Sequence, residues 1–209
     1  MAGFSPASRD NTSDVVLSRT HRLFAAIDFD ATNREAIRRE QSRIWRALGE
    51  GAQIRWVPPE QIHLTLVFLA AVPEEQMPAL ANAFHVPIAL RAFTMAFGGI
   101  GVFLTRGAPR VVWMGAVDGV TEAADVQRIV AARIEELDVP VERRPFSAHV
   151  TLGRWRNARR SDTARVRALA GTAAVARLEV REVTLYESRL SSSGSTYLPL
   201  ARAPLAPAS

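Results

Sequence analysis

The 209-residue chain has no cysteine, which removes disulfides, thiolate nucleophiles and Cys-ligated zinc from the chemistry open to it. Lysine is absent too: all 26 side chains counted as Lys or Arg are arginine. Without lysine there is no phosphate-loop lysine, no Schiff base and no lysyl-adenylate nucleophile of the kind ATP-dependent ligases use. No apolar run approaches a membrane span; the longest, Leu64 to Val72, is interrupted by Thr65. The N-terminus lacks the basic-then-apolar layout of a signal peptide. These absences predict a soluble, cytoplasmic globular protein with no membrane partner.

What is present is a 48% hydrophobic, 22% charged chain, enough for one large domain or two small lobes around a real core. The formal charge of +5 and pI near 11.0 are carried wholly by guanidinium groups. Arginine binds phosphate through paired donors and stacks on bases, so a polyanionic partner suits this balance, although a basic but indifferent surface has the same composition.

The informative feature is a repeat. His63-Leu64-Thr65-Leu66 recurs as His149-Val150-Thr151-Leu152, using two of the four histidines. In a β-strand, side chains two apart share a face, so each copy presents a His beside a Thr while Leu or Val turns to the core. The surroundings are periodic in the same sense. Leu23 to Phe29 reads as a strand, Thr32 with Glu35 as a capping box opening a helix that Gly49 stops, and Ile54 to Val57 as a short strand before the first motif. Pro73 to Phe84 reads as a helix, and Phe93 to Leu104 as paired or bulged strands around Gly98-Gly99. Val111 to Met114 then starts the pattern again, with a helix over Val120 to Leu137 before the second motif. Leu23 precedes His63 by 40 positions and Val111 precedes His149 by 38, the spacing of a diverged duplication. A helix over Ser161 to Ala170 and strands at Ala174 to Val180, Val183 to Tyr186 and Thr196 to Leu200 complete the ordered chain. Residues 1–21 read as a disordered leader and 201–209 as a disordered tail.

Two histidines on equivalent strands of a duplicated fold suit one reaction in particular. Imidazole titrates near neutrality, so one ring can accept a proton while the other donates one. Attack by water on a phosphodiester needs a base on the entering oxygen and an acid on the leaving oxygen, in line on opposite sides. The hydroxyls of Thr65 and Thr151 are placed to hold the non-bridging oxygens. There is no His-Glu-x-x-His and no carboxylate cluster beside either motif, so neither metal nor cofactor is expected.

The paired His-x-Thr-Leu motifs, together with Leu23-Phe24-Ala25-Ala26-Ile27, Trp56, Arg110-Val111-Val112-Trp113, Phe146 and Leu185-Tyr186-Glu187-Ser188, resemble the 2H phosphoesterase superfamily. The order and spacing are most similar to its RNA 2′,3′-cyclic phosphodiesterases, also called 2′,5′ RNA ligases. The likeness runs from about Arg22 to Leu200. It implies an α+β fold over 22–200 as one bilobal domain, with two antiparallel sheets forming a central groove and helices outside. It also implies hydrolysis of an RNA terminal 2′,3′-cyclic phosphate to a 2′-phosphate, with His63 the proton donor and His149 the acceptor. Many members have Pro directly before the second His, where this chain has Ala148. Arg154 matches a basic position common in the family and is a candidate phosphate ligand; Phe146 and Tyr197 are candidates to stack on a base, with a core role the alternative for each. His21 and His85 are read as bystanders, and the protein as a monomer. Two rivals remain: a phosphodiesterase for 2′,5′-linked oligonucleotides or small cyclic nucleotides, and an idle RNA-binding module of the same fold.

Overall fold

A computed structural model describes residues 19–105, 108–142, 144–171, 173–192 and 194–207. Within them, β1 (Thr20–Asp28), α1 (Ala31–Leu48), β2 (Gln53–Trp56), β3 (His63–Pro73), α2 (Met77–Ala83), β4 (Ile88–Arg91) and β5 (Phe93–Thr105) form the first half of the chain. The second comprises β6 (Ala108–Asp118), α3 (Val120–Glu135), β7 (His149–Asn157), α4 (Arg160–Ala168), β8 (Ala174–Val180), β9 (Glu182–Ser191) and β10 (Gly194–Ala206). The fold is α+β, as expected.

The two expected sheets are halves of one path, ordered β4-β10-β9-β1-β3-β7-β6-β5-β8, with β2 added on β7. Among the described residues all strand pairings are antiparallel except that of β10 with β4. The order is nearly symmetric about the β3–β7 junction: β3, β1, β9 on one side match β7, β6, β5 on the other. The repeats are therefore interleaved. β5, from the first, pairs with β6 and β8, and β9, from the second, pairs with β1. The helices cross as well, with α1 against β8 and α4, and α3 against β3 and β4. Each half of the groove is thus assembled from both repeats.

Local chemistry accounts for most elements. In α1 the buried stripe is Ile37, Ile44 and Leu48, and Gly49 ends the helix at φ 75°. Its cap is Asp30 rather than the expected Thr32: the Asp30 carboxylate accepts from the Asn33 N–H at 2.7 Å, while Glu35 pairs with Arg38 and Arg39. The helix expected from Pro73 begins later, at Met77, with Pro78 in the first turn, where a missing N–H costs nothing.

Both ends of the domain need correction. Of the leader expected over 1–21, residues 1–18 lie outside the described residues, but Thr20 and His21 are already in β1, and His21 Nδ1 lies 2.8 Å from Glu187 Oε1. The tail expected over 201–209 is strand as far as Ala206. Its Pro/Ala composition hides a period of two, with Ala201, Ala203 and Leu205 buried and Arg202 and Pro204 exposed. Among the described residues no helix is long and apolar enough to cross a membrane.

Candidate active site

β3 and β7 begin on the two motif histidines and meet at one bridge, Leu64 opposite Val150. Both bridge residues are fully buried, so their neighbours turn to the other face, where His63, Thr65, His149 and Thr151 are all half-buried. Antiparallel register around the bridge sets His63 across from Thr151 and Thr65 across from His149. The two histidines become diagonal neighbours, about 7–8 Å apart in a regular ladder. One phosphate, hydrogen-bonded at about 3 Å on each side, spans such a gap.

The two imidazoles are held alike. His63 Nδ1 is 2.7 Å from the carbonyl of Gln61, and His149 Nδ1 is 2.7 Å from the carbonyl of Ser147. A carbonyl accepts only, so each Nδ1 carries a hydrogen and each Nε2 is left for proton transfer.

A bulge follows each motif. Ala25 and Ala26 pair with Val67 and Thr65, leaving Leu66 extra; Val112 and Trp113 pair with Gly153 and Thr151, leaving Leu152 extra. Each bulge reverses the alternation, so Phe68 and Arg154, three positions past their threonines, return to the groove face. The Leu152 carbonyl displaced by the second bulge accepts from the Val57 N–H and the buried Gln41 amide, both at 2.9 Å. Gly153 permits β2 to approach here, since a Cβ would stand 2.7 Å from Ile54 Cγ2 and 3.2 Å from the Arg55 carbonyl oxygen.

Beyond these shared features the halves diverge. On the His63 side, Phe24 stacks on His63 at 4.8 Å and on Tyr186 at 5.2 Å, and Tyr197 meets His63 edge-on at 5.4 Å. Asp28 is the register partner of His63 and accepts hydrogen bonds from the Tyr186 and Thr184 hydroxyls at 2.9 Å. Burial, then the Asp28 charge and its hydrogen bond, push the Tyr186 phenol up to about 12, so it remains a donor. On the His149 side, Phe103 meets the imidazole edge-on at 4.9 Å beside Trp113, and the register partner of His149 is Gly115. Where one half has a carboxylate, the other has no side chain.

Both imidazoles are held below the ordinary histidine range, chiefly because burial disfavours their charged forms. The carbonyl hydrogen bonds work against this in both, and the Arg154 charge adds to it in both. Asp28 pulls upward on His63 alone. Burial and the Arg154 charge thus disfavour a proton on either ring, while Asp28 favours one on His63 alone.

Arg154 is exposed, and its charge reaches both histidines and Tyr197. Tyr197 stands against His63. Phe146 packs, partly buried, against the core. His85 is exposed in the turn after α2. Sequence reading missed Asp28, Phe24, Phe68, Phe103 and Trp113 as groove residues; the register that places them is carried by strand neighbours remote in sequence.

A duplicated α+β sheet with one His-x-Thr pair supplied by each half is the architecture of the 2H phosphoesterases. The chain belongs to the LigT-like phosphoesterase family, whose sequence model matches residues 28–113 and 117–197. It is 31% identical over 181 residues to a protein of Archaeoglobus fulgidus named RNA 2′,3′-cyclic phosphodiesterase, a match covering 86% of this chain and 97% of that one. An Escherichia coli protein of the same name is 33% identical over 193 residues, covering 89% and 97%. The crystal structure of E. coli LigT complexed with 3′-AMP superposes with a TM-score of 0.72 at 28% identity, covering 89% of this chain and 98% of that one.

Proposed function

We propose that this protein hydrolyses the 2′,3′-cyclic phosphate at an RNA end to a 2′-phosphomonoester, without a metal ion. The observation that carries this reading is the shared face of the two motifs, with each Nδ1 tied to a carbonyl and the Arg154 charge within reach of both rings. Water attacks phosphorus as His149 takes its proton; the bond from phosphorus to O3′ breaks as His63 protonates that oxygen. Thr65 and Thr151 donate to the non-bridging oxygens, and Arg154 offsets their charge. The names of the relatives support the substrate class. A sugar hydroxyl in place of water would give 2′,5′ ligation by the same proton transfers, with no need of ATP or lysine.

The symmetry of the motifs hides which imidazole is the acid, and the difference between Asp28 and Gly115 supports one answer. A carboxylate across from His63 favours its protonated form; His149 has no such neighbour and stays a base. Bound phosphate adds negative charge beside both rings, completing the protonation of His63 that Asp28 biases. Because both imidazoles titrate below the usual value in the free protein, kcat/KM should peak on the acid side of about pH 6.5, with kcat peaking higher. Asp28→Asn should lower the affinity of His63 for its proton further, moving the alkaline limb to lower pH. The loss at neutral pH should be on the order of tenfold, equivalent to one pKa unit. An unmoved limb would remove Asp28 from this role.

Two imidazoles suffice for both proton transfers, so the proposed reaction calls for no metal ion. Incubation of purified protein with a cyclic-phosphate-ended RNA in excess chelator should leave turnover intact. Abolition by chelator with recovery on adding a divalent ion would contradict the mechanism.

A further inference from the structure

β2 has no counterpart in the second half: the stretch before the second motif, 139–142, carries no strand. Paired with β7 from Trp56 opposite Gly153 to Gln53 opposite Asn157, it extends the groove floor as a two-stranded ribbon beyond the second motif. Ile54, Trp56 and Trp155 pack against the core, so the outer face carries Arg55 and Arg154 as direct register partners, and the exposed Arg156 follows. Gly194, between β9 and β10, leaves room for the Arg55 guanidinium, whose Nη2 a Cβ there would overlap. Beside it, the Gln61 side chain donates to the Ser195 carbonyl at 2.7 Å, while the Gln61 backbone carbonyl holds His63. The ribbon therefore begins next to the reacting groups.

Like charges directly across a β-ladder, with Cβ atoms about 5 Å apart, oppose the pairing of the strands. An anion laid between them offsets that repulsion, and guanidinium groups bind phosphate through paired donors. Elsewhere the surface arginines have carboxylates of their own: Arg38 pairs with Glu35, Arg43 with Glu40 and Arg181 with Glu179. Among the described residues no carboxylate forms an ion pair with Arg22, Arg154 or Arg156. Burial pushes the Tyr197 phenol up, and the charges of Arg154, Arg22 and Arg55 pull it back, so three positive groups act on the wall beside His63. We propose that the β2–β7 ribbon is a track for the RNA backbone upstream of the cyclic phosphate, with Arg55 and Arg156 each taking one backbone phosphate. The assignment rests on the reaction proposed above. A 2′,3′-cyclic phosphate ends its chain, so the rest of the RNA leaves only through the 5′ side of the terminal ribose. Arg154 is engaged by the reacting phosphate, which leaves Arg55 and Arg156 for the phosphates that follow. Such a track makes an RNA end a better substrate than a mononucleotide.

The test compares kcat/KM for an adenosine pentanucleotide ending in a 2′,3′-cyclic phosphate with that for adenosine 2′,3′-cyclic phosphate, as salt is raised. Each phosphate contact on a single strand steepens the fall of log affinity with log salt by about 0.7. With two contacts, the ratio of pentanucleotide to mononucleotide should drop about sevenfold between about 50 and about 200 mM salt in the wild-type protein. In Arg55→Gln or Arg156→Gln it should start lower and drop only about 2.6-fold over the same range. Arg55→Lys and Arg156→Lys, which keep the charge, should restore most of the salt dependence. The pentanucleotide with uncharged methylphosphonate linkages should behave as the mononucleotide does. Equal salt dependence of the two substrates in the wild-type protein, a ratio unmoved by both Gln variants, or a methylphosphonate strand as good as the natural one would overturn the track. If the wild-type protein turned over neither compound, the underlying reaction would fall with it. Turnover of both with equal salt dependence would remove the track alone.

Discussion

His149→Ala should slow hydrolysis of a cyclic-phosphate end by about 10²- to 10⁴-fold, the usual range for a lost general base or acid, and the deficit should persist whatever the leaving group. His63→Ala should show a similar deficit on the natural substrate but not on every substrate. A sugar O3′ is a poor leaving group that must be protonated as it departs; a nitrophenolate leaves without a proton. With an activated aryl phosphodiester, His63→Ala should therefore recover much of its rate. His149→Ala should stay slow, because water still lacks a base. The contrast reads the roles directly, since both rings have the same backbone tether and the same Thr two residues on. Recovery by His149→Ala instead would reverse the assignment and leave the Asp28 argument without support.

The second large effect concerns charge rather than protons. As water adds, negative charge grows on the two non-bridging oxygens, and hydroxyl donors aimed at that position act in a partly buried groove where screening is weak. Thr65→Val or Thr151→Val each deletes one donor while keeping the branched shape that suits a strand. Each should lower kcat by about 10²- to 10³-fold with little change in KM, because the lost interaction strengthens in the transition state. The double variant should lose less than the product of the two, as neighbouring groups acting on one phosphate couple. Losses confined to KM would make the threonines ground-state ligands and no more.

The motif pair, the strand–helix–strand period and the inward faces of α1 and α3 were legible in the sequence because local periodicity encodes them. Ile37, Ile44, Leu48, Val126, Val130 and Ile134 are all fully buried. The exchange of β5 and β9 between halves was not legible, because pairing of strands remote in sequence leaves no local signal. The same holds for the bulges. Leu66-Val67 and Leu152-Gly153 read as ordinary apolar steps, yet one extra residue in each decides that Phe68 and Arg154 reach the groove. Asp28 looked like the end of a strand; its meaning comes from standing across from His63. Tyr197 and Phe146 were both named as stacking candidates with a core role the alternative for each; Tyr197 lies against His63, and Phe146 packs, partly buried, against the core. The strand at Ala201 to Ala206 was missed because proline and alanine mask a two-residue period that burial makes plain.

The central claim is that two imidazoles open a 2′,3′-cyclic phosphate from the side that expels O3′. Phosphorus NMR of a nucleoside 2′,3′-cyclic phosphate turned over in ¹⁸O-water with excess chelator tests it in one experiment. The account predicts a single 2′-phosphomonoester carrying one solvent oxygen, and no such product at matched times with the His63→Ala, His149→Ala double variant. A 3′-phosphomonoester, or the same product at the wild-type rate from the double variant, would contradict it.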